Sequence, residues 1–92
     1  MEPDWSLWRS FAAVVETGSL SGAARKLGLT QPTLGRHVEA LEAQLGTRLF
    51  ERSLQGLNPT EAALRLYEPV KQAQLALSEA TMVAEGSSGG RI

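Results

Sequence analysis

The chain has no cysteine, one histidine, two phenylalanines, two tryptophans, one tyrosine and no long apolar run. Without cysteine there is neither a disulfide nor a thiolate metal site, and at 92 residues the core is small enough that a partner chain would add to it. A single histidine, with carboxylates scattered mostly along solvated helix faces, supplies no nucleophile–base pair and no zinc-binding set. The expectation is no enzyme, no catalytic residue, no metal and no cofactor. No segment reaches the roughly 20 apolar residues of a membrane span, and no charged-then-apolar leader is present, so a soluble cytoplasmic protein without a membrane partner is expected. The basic excess usual in a nucleic-acid binder is also missing, since the net charge is −1 and the pI about 5.8.

What is there is unevenly placed. Between Arg9 and Arg52 six Lys/Arg stand against four Asp/Glu, whereas residues 60–85 carry two against four. The apolar positions are helical. Asp4 precedes Trp5, Leu7, Trp8, Phe11, Ala12, Val14 and Val15, an Asp-capped helix that stops at Gly18 with a stripe broad enough to pack on two sides. Ser19 caps a short helix with Leu20, Ala23, Ala24 and Leu27 on one face, ended by Gly28. Thr30 caps a third in which Leu34, Val38, Leu41 and Leu45 recur at i, i+4, i+7 and i+11 before Gly46. Two helices joined by a tight glycine turn form a helix-turn-helix. LFER, SLQG and LNP then fit two short strands and a loop, a wing. Thr60 caps a long helix with a heptad seam of Ala63, Leu66, Val70, Ala73, Leu77, Ala80 and Ala84, which Pro69 should kink or leave short of one hydrogen bond near Arg65.

The third helix contains the oddest stretch, LTQPTLGRH. Pro32 is tolerated because first-turn N–H groups have no intrahelical partner to lose, and those free N–H groups at the positive end of the helix suit a phosphate. The helical wheel sets Thr33, Arg36, His37, Ala40 and Gln44 opposite Leu34, in a sector read as free of acids. Gln31, Thr33, Arg36 and His37 are therefore the expected base readers of a helix in the major groove. Gly35 costs about 1 kcal/mol relative to Ala, so it is expected to permit close approach, with Pro32, of the second helix or of the sugar-phosphate backbone.

The ordered set Leu7, Phe11, Gly18-Ser19-Leu20, Ala23-Ala24, Leu27, Thr30-Gln31-Pro32, Leu41-Glu42, Leu45-Gly46, Leu49-Phe50-Glu51-Arg52 and Thr60-Glu61-Ala62 resembles the N-terminal DNA-binding region of LysR-type transcriptional regulators. The resemblance implies a mainly α fold, a winged helix-turn-helix of three helices and a two-stranded wing followed by a long dimerisation helix. The expected boundaries are 1–59 for the winged unit (helix-turn-helix about 19–38), 60–85 for the linker helix and 86–92 for a flexible hinge. Full-length family members continue into an effector-binding domain that would take a small-molecule inducer, so the chain reads as one piece of such a regulator. The implied partners are double-stranded DNA with an inverted repeat and a second copy joined through the seam, with a tetramer conceivable at full length. Phosphate contacts are assigned to Ser21, Thr30, Arg48 and Arg52, with Arg25 and Lys26 weaker. The chain departs from the family at Gly35, where serine is usual, and at Leu54, Gln55 and Asn58, where the wing commonly carries glycine and basic residues. A helical dimerisation or protein-interaction module, and a winged-helix binder of another class such as a molybdate-responsive regulator, remain alternatives.

Overall fold

The computed structural model describes residues 3–89 as α1 (Trp5–Thr17), α2 (Leu20–Leu27), α3 (Gln31–Leu45), β1 (Phe50–Ser53), β2 (Gly56–Pro59) and α4 (Glu61–Gly89). Every helix begins on the residue whose side chain the sequence marks as a cap. The side chain of Asp4 accepts from Ser6 N at 3.0 Å, Ser19 from Gly22 N at 2.9 Å, Thr30 from Thr33 N at 3.3 Å and Thr60 from Ala63 N at 3.2 Å. The first three helices end at Gly18, Gly28 and Gly46, all with φ between 67° and 78°, a left-handed conformation that glycine adopts without strain.

α1 is the central element. It packs on α2 and α3 on one side and on α4 and β2 elsewhere, which is why its apolar stripe is broad. Phe11, Val14, Leu34, Leu41 and Leu49 are completely buried, and each contributes about 1.5–3 kcal/mol relative to exposure. Trp8 meets Phe11 edge-on at 6.2 Å, and Phe11 meets Phe50 at 5.8 Å, so the aromatic residues bridge α1 to the wing. The strands pair antiparallel from Phe50 opposite Pro59 to Ser53 opposite Gly56. Glu42 of α3 fixes where the wing starts, its Oε2 accepting from Leu49 N at 2.7 Å and from Phe50 N at 3.3 Å. The result is a winged helix-turn-helix followed by a long helix, the expected class.

α4 differs from expectation in two respects. It continues through residues 86–89, which the composition of GSSGG had assigned to a flexible hinge. The helix runs on through Pro69, which has no N–H to give and so leaves one backbone hydrogen bond unmade, as expected. Pro69 sits on the exposed side of the helix, where a carbonyl left without its partner can meet water. The rest of the hinge, residues 90–92, lies outside the described residues. The heptad seam is also divided. Ala63 and Val70 are 0% and 7% exposed and belong to the core of this chain, with Leu66 packed against it. Those two alanine and valine positions are therefore intrachain packing and not free dimer surface. Ala73, Leu77, Ala80 and Ala84 remain exposed.

Candidate nucleic-acid interface

The glycine turn at Gly28 and the cap at Thr30 bring α3 out of the body of the fold with one face of its first two turns uncovered. Gln31, Pro32 and Arg36 are exposed and Thr33 half-buried. Gln31, Pro32 and Arg36 share a hollow of about 620 Å³ with Leu20 and Gly35. Ser21 of α2, Gln31 of α3 and Arg52 of β1 line a second hollow of about 240 Å³, so three expected DNA contacts from three elements converge. A third, of about 410 Å³, runs between α3 and the wing and gathers Gly35, Arg48 and Arg52. The hydroxyl groups at the start of α3 form a chain: Thr30 Oγ1 donates to Thr33 Oγ1 at 3.0 Å, and Arg36 Nη2 donates to the same atom at 3.2 Å. Thr30 is thus an internal cap first, and Arg36 lies back along its own helix with the rest of its guanidinium donors free for a bidentate contact.

Several placements differ from expectation. His37 does not stand opposite Leu34; it is half-buried on the flank toward α1, with Nδ1 2.7 Å from Ser10 Oγ. The angular offset of three residues from Leu34 is only about 60°, which places it there. The outward sector is not free of acid, because Glu39 lies one turn beyond Arg36 and lines two of the hollows with it or with Arg48 and Arg52. Arg25 and Lys26 are both exposed, and Lys26 is ion-paired with Glu16. Gly35 is not required by the second helix: a Cβ there would meet only Leu20 Cδ1, at 3.9 Å, an ordinary contact.

The glycines that the packing does require are Gly22 and Gly56. A Cβ on Gly22 would fall 2.9 Å from Ser19 Oγ and 3.0 Å from Thr17 Cβ. Gly56, at φ 127°, brings the wing against the α1–α2 turn, where Leu57 N donates to Gly18 O at 3.1 Å. The Gly56 constraint is not visible in sequence, since it arises from a contact between elements, whereas Gly22 crowds the cap of its own helix and the residue that ends α1. Glu16 is a third unforeseen centre. Burial opposes its charge, yet hydrogen bonds from Lys26 and Tyr67, and the charges of Lys26 and Lys71, hold its carboxyl below the usual value. Tyr67 Oη donates to Glu16 Oε2 at 2.6 Å, and that bond, with burial, pushes the phenol up to about 12. Glu16 thereby ties α1 to α2 and α4.

Among the described residues no group of three His, Asp or Glu side chains is placed to hold a metal, and no helix is long and apolar enough to cross a membrane. Residues 5–64 match the family described as bacterial regulatory helix-turn-helix protein, lysR family. The chain belongs to the LysR family. PtxE of Stutzerimonas stutzeri is 47% identical over 64 residues, which are 70% of this chain and 32% of that protein. The transcriptional activator protein LysR of Escherichia coli (strain K12) is 40% identical over 75 residues, 82% of this chain and 24% of LysR. The chain therefore spans only about a quarter to a third of these relatives. Among solved structures, the BenM DNA-binding domain in complex with catB site 1 DNA is similar at a TM-score of 0.86 and 28% identity, over 97% of this chain and all of that one. The LysR-family match accounts for the ordered motifs from the first helix to the start of α4.

Proposed function

We propose that this LysR-family chain is the sequence-specific DNA-binding unit of a transcription regulator, with α3 in the major groove and the wing along the flanking backbone. The observation that carries this reading is the convergence of Ser21, Gln31 and Arg52 beside the uncovered start of α3, in a chain similar to a domain solved on DNA. Gln31, Thr33 and Arg36 read base edges; Ser21, Arg48, Arg52 and the N–H groups near Thr30 meet phosphates. Glu39 and Glu42 line the same hollow as Arg48 and Arg52, so the electrostatic grip is modest. The salt dependence of binding is expected to be shallower than for a domain making 6–10 phosphate contacts, each of which adds about −0.9 to the slope. Such a unit acts on DNA without enzymatic chemistry, and its place is the cytoplasm.

The operator is an inverted repeat bound by a homodimer. The exposed half of the seam, Ala73, Leu77, Ala80 and Ala84, supports this, together with the neighbouring apolar hollow of about 320 Å³ lined by Trp5, Trp8, Leu66, Pro69, Val70 and Ala73. Alanines let two helices approach closely while burying little area each, so the aromatic hollow adds what the seam lacks. Selection of bound sequences from a random duplex pool tests the reading: a two-fold symmetric consensus is expected, and absence of any salt-sensitive duplex binding would leave only a dimerisation module. Sedimentation of the chain at tens of micromolar tests the dimer separately.

A further inference from the structure

Ser10 is a polar residue completely buried in the middle of α1, and a buried hydroxyl without a partner is costly. Its hydrogen bond is to His37 Nδ1, 2.7 Å away on α3, and among the described residues its hydroxyl has no other partner. Two arrangements are open to such a pair when the ring is neutral. If Nδ1 carries the proton, the ring donates to Ser10 and the serine hydrogen is left inside the core without an acceptor. If Nδ1 is bare, Ser10 donates to it, every buried polar hydrogen is satisfied, and the ring proton resides on Nε2. The second arrangement costs nothing and the first strands a donor.

The consequence lies on the other edge of the ring. His37 is half-buried, and Nε2 has no partner among the described residues. A helix in the major groove sets its outermost residues over base edges and its flanks against the sugar-phosphate walls. His37 is on a flank, whereas Gln31 and Arg36 are exposed on the outer surface. A lone pair at Nε2 would repel a phosphate; an N–H there attracts it. Asp4 is within electrostatic reach of the ring, but both of its hydrogen bonds go to Ser6.

We propose that Ser10 is a positioning residue for DNA binding: its buried hydroxyl donates to His37 Nδ1, fixing the ring as an Nε2–H donor to a backbone phosphate oxygen. This rests on the DNA-binding reading above and reassigns His37 from base reading to the backbone. It makes a core residue of α1, which itself touches no DNA, a determinant of affinity.

The test uses the fact that His37 is the sole histidine of the chain. Two-bond proton–nitrogen spectra of the DNA-free protein with the imidazole in its neutral form report each ring nitrogen separately. The expected result is a bare, hydrogen-bonded Nδ1 and a protonated Nε2, with Ser10→Ala moving Nδ1 to the shift of a nitrogen that accepts no bond. A protonated Nδ1 in the wild type overturns the proposal. For binding, Ser10→Ala is expected to weaken a selected duplex and a scrambled duplex alike by about three- to tenfold, with no further loss when it is added to His37→Ala. Unchanged affinity, or a loss confined to one base pair, overturns the phosphate assignment even where the spectra hold. A wild-type chain that binds no duplex at all overturns the DNA reading itself while leaving the spectroscopic result to stand on its own.

Discussion

Replacing Gly35 with alanine separates the demands of folding from those of DNA. The position is inside α3, well away from its caps, and glycine there is less favourable than alanine by about 1 kcal/mol because more backbone freedom is lost on folding. The new Cβ meets only Leu20 Cδ1 at 3.9 Å, and one such contact adds about 0.1–0.2 kcal/mol of dispersion. No strain offsets the gain. Gly35→Ala is therefore expected to raise stability by about 1 kcal/mol, a rise of about 4–8 °C in Tm for a domain of this size. Thermal melts followed by far-UV circular dichroism at one fixed chain concentration measure it, the fixed concentration being needed because a dimer's Tm depends on it. A lower Tm would refute the reasoning, since it would mean that the space beside Leu20 is not open. The same variant is expected to bind duplex more weakly, because the methyl group stands between α3 and the backbone, and Gly35→Ser is expected to recover binding through its hydroxyl. An alanine variant that is both more stable and an equal binder would deny Gly35 any role at DNA.

Three further outcomes are expected. Arg36→Ala weakens specific binding by about 1–3 kcal/mol and relaxes preference at one base pair in a selection experiment, whereas an equal loss on all duplexes would make it a phosphate contact. Leu77→Asp, at a position 51% exposed, gives a monomer with an intact helical spectrum, whereas Val70→Asp, 7% exposed, unfolds the chain; sedimentation and circular dichroism together distinguish them, and a Leu77→Asp dimer would remove the seam from the interface. Glu16 has a folded-state pKa below its ordinary value of 4.5, so its contribution to stability is present above that pH and is lost as pH falls through the depressed value. Urea midpoints measured downward from neutral pH should accordingly fall more steeply below about pH 4.5 in the wild type than in Glu16→Gln, and parallel curves would contradict the assignment.

The parts of the fold that were legible in the sequence are those fixed by local chemistry. Asp4, Ser19, Thr30 and Thr60 cap the helices because a short polar side chain can reach the next free N–H, and Gly18, Gly28 and Gly46 end three of them because only glycine takes the left-handed turn cheaply. Even the wing could be bracketed by its turn residues. What failed was whatever depended on the angle between elements. The seam on α4 has one periodicity along its length, but its first half is buried in the core of this chain and its second half is exposed, and periodicity carries no information about where burial stops. His37 and Glu39 failed differently, since the helical wheel itself sets His37 about 60° and Glu39 about 140° from Leu34, so that both places were legible in the sequence. The Ser10–His37 and Glu16–Tyr67 bonds join residues 27 and 51 apart, a distance over which no sequence pattern speaks.

The contact between Gly56 and the α1–α2 turn bears on the thermodynamics of recognition. With Leu57 N fastened to Gly18 O and Glu42 holding the other end of the wing, β1 and β2 are anchored at two points to the same body that carries α3. The separation between Arg52 and Gln31 is then set before any duplex arrives, as in a caliper locked at one gauge. Little backbone entropy remains to be lost on binding, which helps a surface with few cations reach useful affinity. It also means that tolerance for grooves of unusual width is low, so that sequence-dependent groove geometry, and not only the bases touched, should enter the choice of site.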